Sequence, residues 1–156
     1  MTHETTATPA RTIQQSLNRI TFPELCNSVR AVLEAGRVGT PVNVRLHWEF
    51  SESEAEFPAV LTAAVAIADK ALQLEEASWR VRRHASGRTL NVLGSDRRGR
   101  TLLITLVARS EPRTAMTVFG NHGIVRLEEG WVDPDSIPDS FESCSWVPGL
   151  RAGLRE

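Results

Sequence analysis

The first regular pattern along the chain has helical spacing: Leu25, Val29, Val32 and Leu33 recur every three or four residues. Thr21 and Glu24 stand at capping-box spacing, Pro23 falls in the first turn, where a missing N–H does no harm, and Gly36 closes the run. This predicts an amphipathic helix over residues 22–35. From Val42 the period changes to two. Val42, Val44, Leu46, Trp48 and Phe50 alternate with Asn43, Arg45, His47 and Glu49, the mark of a strand with one buried face. An acidic stretch then leads into Phe57 to Leu74, rich in Ala, Leu and Val with Pro58 at its start, which predicts a second and more fully buried helix.

Short strand-like segments follow. Trp79 to Ala85 sets Trp79 and Val81 against Arg80, Arg82 and His84, and Thr89 to Gly94 is a short apolar strand. A polar turn from Asp96 to Arg100 feeds the long strand Thr101 to Arg109. Glu111 and Pro112 interrupt, Arg113 to Phe119 forms another strand, and Gly120-Asn121-His122-Gly123 turns into Ile124 to Glu128. Helix, strand, helix and then an antiparallel meander give an α+β fold: one largely antiparallel sheet with helices packed on one face and the other face open for a partner or ligand. The organisation expected is a loose N-terminal arm over residues 1–20, the sheet domain over 21–129, and an irregular tail over 130–156. Trp131, Phe141, Trp146 and Leu150 of that tail could anchor it on the domain by burial.

Composition narrows the classes of function. A chain of 156 residues with 41% hydrophobic residues suffices for one domain with a real core. A net charge of −1 gives no field that would favour nucleic acid or an anionic membrane. No apolar run reaches the length of a membrane span and Met1 to Arg11 is polar, so a cytoplasmic protein is expected. Two cysteines and four scattered histidines make neither a disulfide framework nor a metal site; Cys26 reads as a core thiol and Cys144 as incidental.

Few residue constellations suggest chemistry. His84, Ser86 and Asp96 supply the types of a nucleophilic triad, but nothing like a nucleophile elbow surrounds them. His122 between two glycines reads as an exposed turn residue, and Arg97, Arg98 and Arg100 as a solvated hairpin tip. The candidate surface is the outward face of the sheet. There Arg45, His47 and Glu49 of one strand, with Arg80, Arg82 and His84 of another, form two polar rows that share a side if the strands align in register. Two readings apply: a wet or dimer-forming face, and a site for a small anion or sugar acid built from paired arginines. Thr101, Leu103, Thr105, Val107 and Arg109, with Ala115, Thr117 and Phe119, give a second, half-polar face suited to self-association.

Three strings resemble the C-terminal domain of the Gfo/Idh/MocA oxidoreductases, the glucose-fructose oxidoreductase and inositol dehydrogenase type. Phe22-Pro23-Glu24-Leu25 through Glu34-Ala35-Gly36-Arg37-Val38-Gly39-Thr40-Pro41-Val42 is similar to that family's helix and Gly-x-[Ile/Val]-Gly turn. Leu102 to Arg109, followed by Met116 through Phe119-Gly120-Asn121-His122-Gly123 to Leu127, is similar to its late strands and hairpin. The second helix and the meander lie between them in order, so the resemblance covers about Thr21 to Glu128. It implies an accompanying Rossmann domain, yet the sequence holds no Gly-x-Gly-x-x-Gly and no Glu-Lys-Pro motif. It also implies an Asp-x-x-x-His-x-x-Asp acid–base pattern on the second helix, where this chain aligns Thr62, Ala66 and Asp69. The expectation is therefore a domain without catalytic residues, cofactor or metal, acting as an oligomerising or partner-binding module, with a homodimer through the open sheet face. A Rossmann-domain protein partner in a split NAD(P)-dependent oxidoreductase, and a sugar-acid or anion binder, are the alternatives.

Overall fold

The computed structural model describes residues 19–137 apart from 54, 110 and 130. β1 (Arg19–Ile20) leads into α1 (Phe22–Glu34), which starts as its sequence predicts. The Thr21 hydroxyl accepts from the Glu24 N–H at 3.4 Å, and the Glu24 carboxylate accepts from the Thr21 N–H at 2.6 Å. β2 (Pro41–Phe50) follows, then α2 (Phe57–Leu72), β3 (Ser78–Arg83), β4 (Thr89–Ser95), β5 (Thr101–Ala108), β6 (Arg113–Gly120) and β7 (Ile124–Glu129). β8 (Trp131–Val132) pairs in parallel with β1, and a short 3-10 turn over Pro134–Ser136 lies beyond it. The last two residues of the predicted arm and the first residues of the predicted tail thus pair with each other in a small two-stranded sheet. Phe141, Cys144, Trp146 and Leu150 lie outside the described residues.

The main sheet has six strands in the order β3-β4-β5-β2-β6-β7. It departs from a simple meander at one place. β2 sits between β5 and β6, parallel to β5 and antiparallel to β6, so the two late strands never pair with each other. The sheet is still α+β and largely antiparallel, with one parallel pair at its centre. A turn signal between Arg109 and Arg113 cannot reveal this insertion, because strand pairing across the helix-bearing connection has no local sequence mark.

One sheet face is sealed by the helices. Val44, Leu46, Trp48 and Phe50 of β2, Leu102, Ile104 and Leu106 of β5, and Met116 and Val118 of β6 are buried there. α2 covers the centre, with Ala63, Ala64, Val65, Ala66, Ile67 and Ala68 all buried. Its run of small side chains brings the helix axis close to the sheet. Phe57 pins the start of α2: it meets Phe50 edge-on with ring centroids 4.9 Å apart, and Arg83 lies 5.1 Å over it.

α2 ends two residues before the sequence pattern suggests. Gln73 takes a left-handed conformation at φ 50, and its N–H donates to the Asp69 carbonyl at 2.7 Å. The Asp69 carboxylate then accepts from the Leu74 N–H at 3.0 Å.

The turn entering β2 and the β6–β7 hairpin dock backbone to backbone. The His122 N–H donates to the Val38 carbonyl at 3.1 Å, and the Thr40 N–H to Asn121 Oδ1 at 2.7 Å. A Cβ on Gly120 would run into the Val38 carbonyl, and one on Gly39 into the side chains of Asn121 and His122. Glycine is required here by space, whereas Gly99 is required only by its φ of +78, with open room around it. Accordingly Gly120→Ala should cost about 3 kcal/mol and Gly99→Asn under about 1 kcal/mol, because asparagine tolerates the left-handed region and overpacking cannot be relieved. Urea unfolding of both variants reads this difference; equal costs would show that the contact is soft.

Candidate functional site

The uncovered face of the sheet is one continuous surface, and its rows can be read from the register. One row runs Arg80, Leu93, Leu103, Arg45, Thr117, Arg126 from β3 to β7; the next runs Arg82, Asn91, Thr105, His47, Ala115, Glu128. Arg45, His47, Glu49, Arg80 and Arg82 therefore lie on the same side, but not as neighbours. Three strand intervals separate β2 from β3, roughly 14 Å at the usual spacing, and Leu93 and Leu103 lie between Arg80 and Arg45. His84 follows the end of β3 in the turn, where the Ser86 N–H donates to its Nδ1 at 3.3 Å. The half-polar late-strand surface is no second face: Leu103, Thr105, Ala115 and Thr117 belong to these same rows, and Phe119, opposite Asn43 and Ile124, to the next one on the same side.

Charge divides this surface in two. Over β2, β6 and β7 every described cation but Arg45 has a carboxylate. The Glu49 carboxylate lies 3.0 Å from His47 Nε2 and 3.6 Å from Arg109, and the Glu128 carboxylate lies 2.7 Å from Arg126 and 3.5 Å from Arg113. Arg45 stacks 5.2 Å over the Phe119 ring. Beside Phe119, Ile124 is 65% exposed, the most open large apolar side chain described. Over β3 and β4, Arg80 and Arg82 have no carboxylate partner among the described residues. They flank a shallow concavity of about 510 Å³ whose lining includes Asn91, Leu93 and Leu103. The Thr105 hydroxyl donates to Asn91 Oδ1 at 2.9 Å, which leaves the amide nitrogen as the donor end of that side chain.

The other expected constellations resolve into structural roles. His84 Nδ1 lies 3.1 Å from Ser86 Oγ, but Asp96 is at the opposite end of β4, roughly 20 Å along the strand, so no triad assembles. On α2, the Thr62 hydroxyl bonds back to the Pro58 carbonyl at 2.8 Å, Ala66 is a buried methyl, and Asp69 caps its own helix end. Burial raises the Asp69 carboxyl above the ordinary value, against the opposing pull of the Leu74 N–H and Arg100. His122 is exposed in its hairpin. Among the described residues no group of three or more His, Cys, Asp or Glu side chains could hold a metal, and no helix is long and apolar enough to cross a membrane.

Arg100 corrects the picture of a solvated arginine tip. Its side chain is only 15% exposed; Nε donates to Asp96 at 2.7 Å and Nη1 to the Leu72 carbonyl at 2.7 Å. It staples the β4–β5 hairpin to the C-terminus of α2, where a cation also meets the helix dipole. Arg97 and Arg98 do remain solvated, reaching Glu76 and Glu75 at 3.2 Å each. Sequence spacing alone does not tell these three arginines apart, although Asp96 at four residues before Arg100 is the available signal.

No protein-family model matches the sequence, and no curated protein matches it. Solved structures do match. A probable dehydrogenase from Thermotoga maritima superposes with a TM-score of 0.56 at 14% identity, over 69% of this chain and 39% of its own. A myo-inositol 2-dehydrogenase from Lactobacillus plantarum gives 0.51 at 11% identity, over 67% and 38%. A scyllo-inositol dehydrogenase from Lactobacillus casei with bound NAD(H) and scyllo-inositol gives 0.51 at 8% identity, also over 67% and 38%. The fold is that of a Gfo/Idh/MocA-type sheet domain. At these identities the likeness speaks for the fold, and the chain spans well under half the length of each of these three dehydrogenases. Within this fold the Gly36–Pro41 turn and the Phe119–Leu127 hairpin, each part of a string that carries the sequence resemblance, are segments that dock on each other.

Asp96 supplies a pH test of this frame. Burial pushes its carboxyl up, but hydrogen bonds from the Arg100 side chain and backbone and from the Glu75 N–H, with the Arg100 charge, outweigh that and hold it below its ordinary 3.8. A lowered acid stabilises the fold above the unfolded-state value and loses that contribution as pH falls through the folded one. Urea unfolding at pH 5 and pH 3 should therefore show a smaller acid loss in Asp96→Asn than in the wild type. An identical loss in both would remove Asp96 from the staple.

Proposed function

We propose that this sheet domain is a non-catalytic module whose working part is the open sheet face, where a second copy of the chain docks. The observation that carries this reading is the apolar patch over β6 and β7, where the exposed Ile124 and the half-buried Phe119 lie beside Arg113 and Arg126, both paired with Glu128, and beneath the stacked Arg45. Apolar side chains at the centre with a charged rim are the usual anatomy of a protein interface, and ion pairs kept at such a rim stay in contact with water and escape the desolvation cost of full burial. A two-fold arrangement needs no further surface, because the same patch serves both partners. The non-catalytic half of the reading is supported by α2. Its Thr62, Ala66 and Asp69 are engaged in helix and core contacts at the positions where the resemblance would put a proton relay. The relatives' hydride chemistry is accordingly not assigned to this domain.

Solution mass tests the partner. At high protein concentration the chain should run as a dimer, and Ile124→Asp combined with Thr117→Glu should weaken association by about tenfold or more while leaving thermal unfolding of the monomer little changed. A strict monomer at every concentration would overturn the self-docking reading, and a dimer indifferent to both substitutions would move the interface elsewhere.

A further inference from the structure

The half of the open face that the Phe119 and Ile124 patch does not use has its own chemistry. Arg80 and Arg82 stand two residues apart on β3 and so point to the same side of the sheet, with guanidinium groups that have no carboxylate among the described residues. This differs from Arg109, Arg113 and Arg126 on the same face, each of which has one, and from Arg45, whose guanidinium is stacked on Phe119. Between the two arginines and the sheet lies the 510 Å³ concavity, of the size that small organic ligands occupy. Leu93 stands opposite Arg80 and Leu103 opposite Leu93, so its floor is aliphatic, and Leu93 keeps 40% of its surface exposed. Asn91, opposite Arg82, is turned by the Thr105 hydroxyl so that its amide N–H groups are available.

We propose that this groove binds a small organic anion, with a carboxylate or phosphate held between Arg80 and Arg82 and an apolar body laid on Leu93 and Leu103. Two planar cations converging on one anionic group give charge-assisted, geometrically specific hydrogen bonds, with the Asn91 amide as an additional donor. The aliphatic floor offers no hydrogen-bond partner to a polyhydroxylated ligand, so a sugar acid is a poor occupant and an aryl or alkyl acid a good one. The inference rests on the open face being the working surface, but it uses the β3–β4–β5 half and does not need the second copy.

The test titrates the full chain with benzoate and phenyl phosphate, with acetate, benzyl alcohol and gluconate as controls, and reads backbone amide shifts residue by residue. Benzoate or phenyl phosphate should saturate by about 10 mM, with shifts confined to residues 80–82, 91–93 and 103; whichever binds more tightly identifies the anionic group. Acetate, benzyl alcohol and gluconate should each bind at least about tenfold more weakly, since benzyl alcohol lacks the charge and acetate and gluconate lack the apolar body. Arg80→Gln combined with Arg82→Gln should weaken binding about tenfold or more, and so should Leu93→Asp, which sets a carboxylate in the floor. All three residues are exposed, and unfolding of the unliganded variants verifies that they fold. Benzoate binding unchanged by the double arginine substitution, equal shifts with acetate, or no saturation with either aromatic acid would overturn the proposal. Repeating the titration on the Ile124→Asp, Thr117→Glu chain separates the two readings: anion binding that survives in a monomer leaves the groove standing when self-docking fails, and a dimer without anion binding does the reverse.

Discussion

The seating of β2 between β5 and β6 is the constraint on which the rest of this structure depends. A strand paired on both edges at the middle of a sheet must keep every other side chain on each face, and its inward set, Val44, Leu46, Trp48 and Phe50, is fully buried. A slip of one residue would put Arg45, His47 and Glu49 under α2 and Trp48 into water. The alanine-rich α2 can lie close over this strand only because the alternation is kept. One face is then closed by helices, and the other is the surface on which the proposed partner and ligand would dock.

That asymmetry separates structural from functional polarity. On the helix side, polar groups are used for closure: Asp69 and Arg100 finish α2, Asp96 holds Arg100, and Thr62 bonds within its own helix. On the open side, polar groups are arranged in rows set by the register, and the pairing of some cations but not others gives the surface two chemical halves. The same sequence alternation that makes a stable sheet therefore also distributes the surface that remains for recognition.

Much of this is legible in the sequence because it is local. The capping box at Thr21, the alternation of Val44 to Phe50 and the hairpin at Gly120 to Gly123 are each specified by residues within a few positions, and the structure places them as the spacing predicts; Val42, expected on the buried side, is instead 43% exposed beside the register irregularity between Pro41 and Asn43. What was not legible is what depends on distant pairing. The insertion of β2 between the late strands places Leu93 and Leu103 between two arginine rows that seem adjacent when the strands are read in order. It also merges the late-strand surface with the polar face. The burial of Arg100 likewise follows from a tertiary contact, the guanidinium on the Leu72 carbonyl, for which Asp96 four residues earlier is the local sign.

The most direct measurement of the central claim, that the open sheet face is the surface a second copy covers, is hydroxyl-radical footprinting across a concentration series. The account predicts that Phe119 and Ile124 lose reactivity as the chain associates while Phe57, on the helix side of the sheet, stays constant. Phe119 and Ile124 remaining as reactive in the concentrated sample as in the dilute one would contradict it.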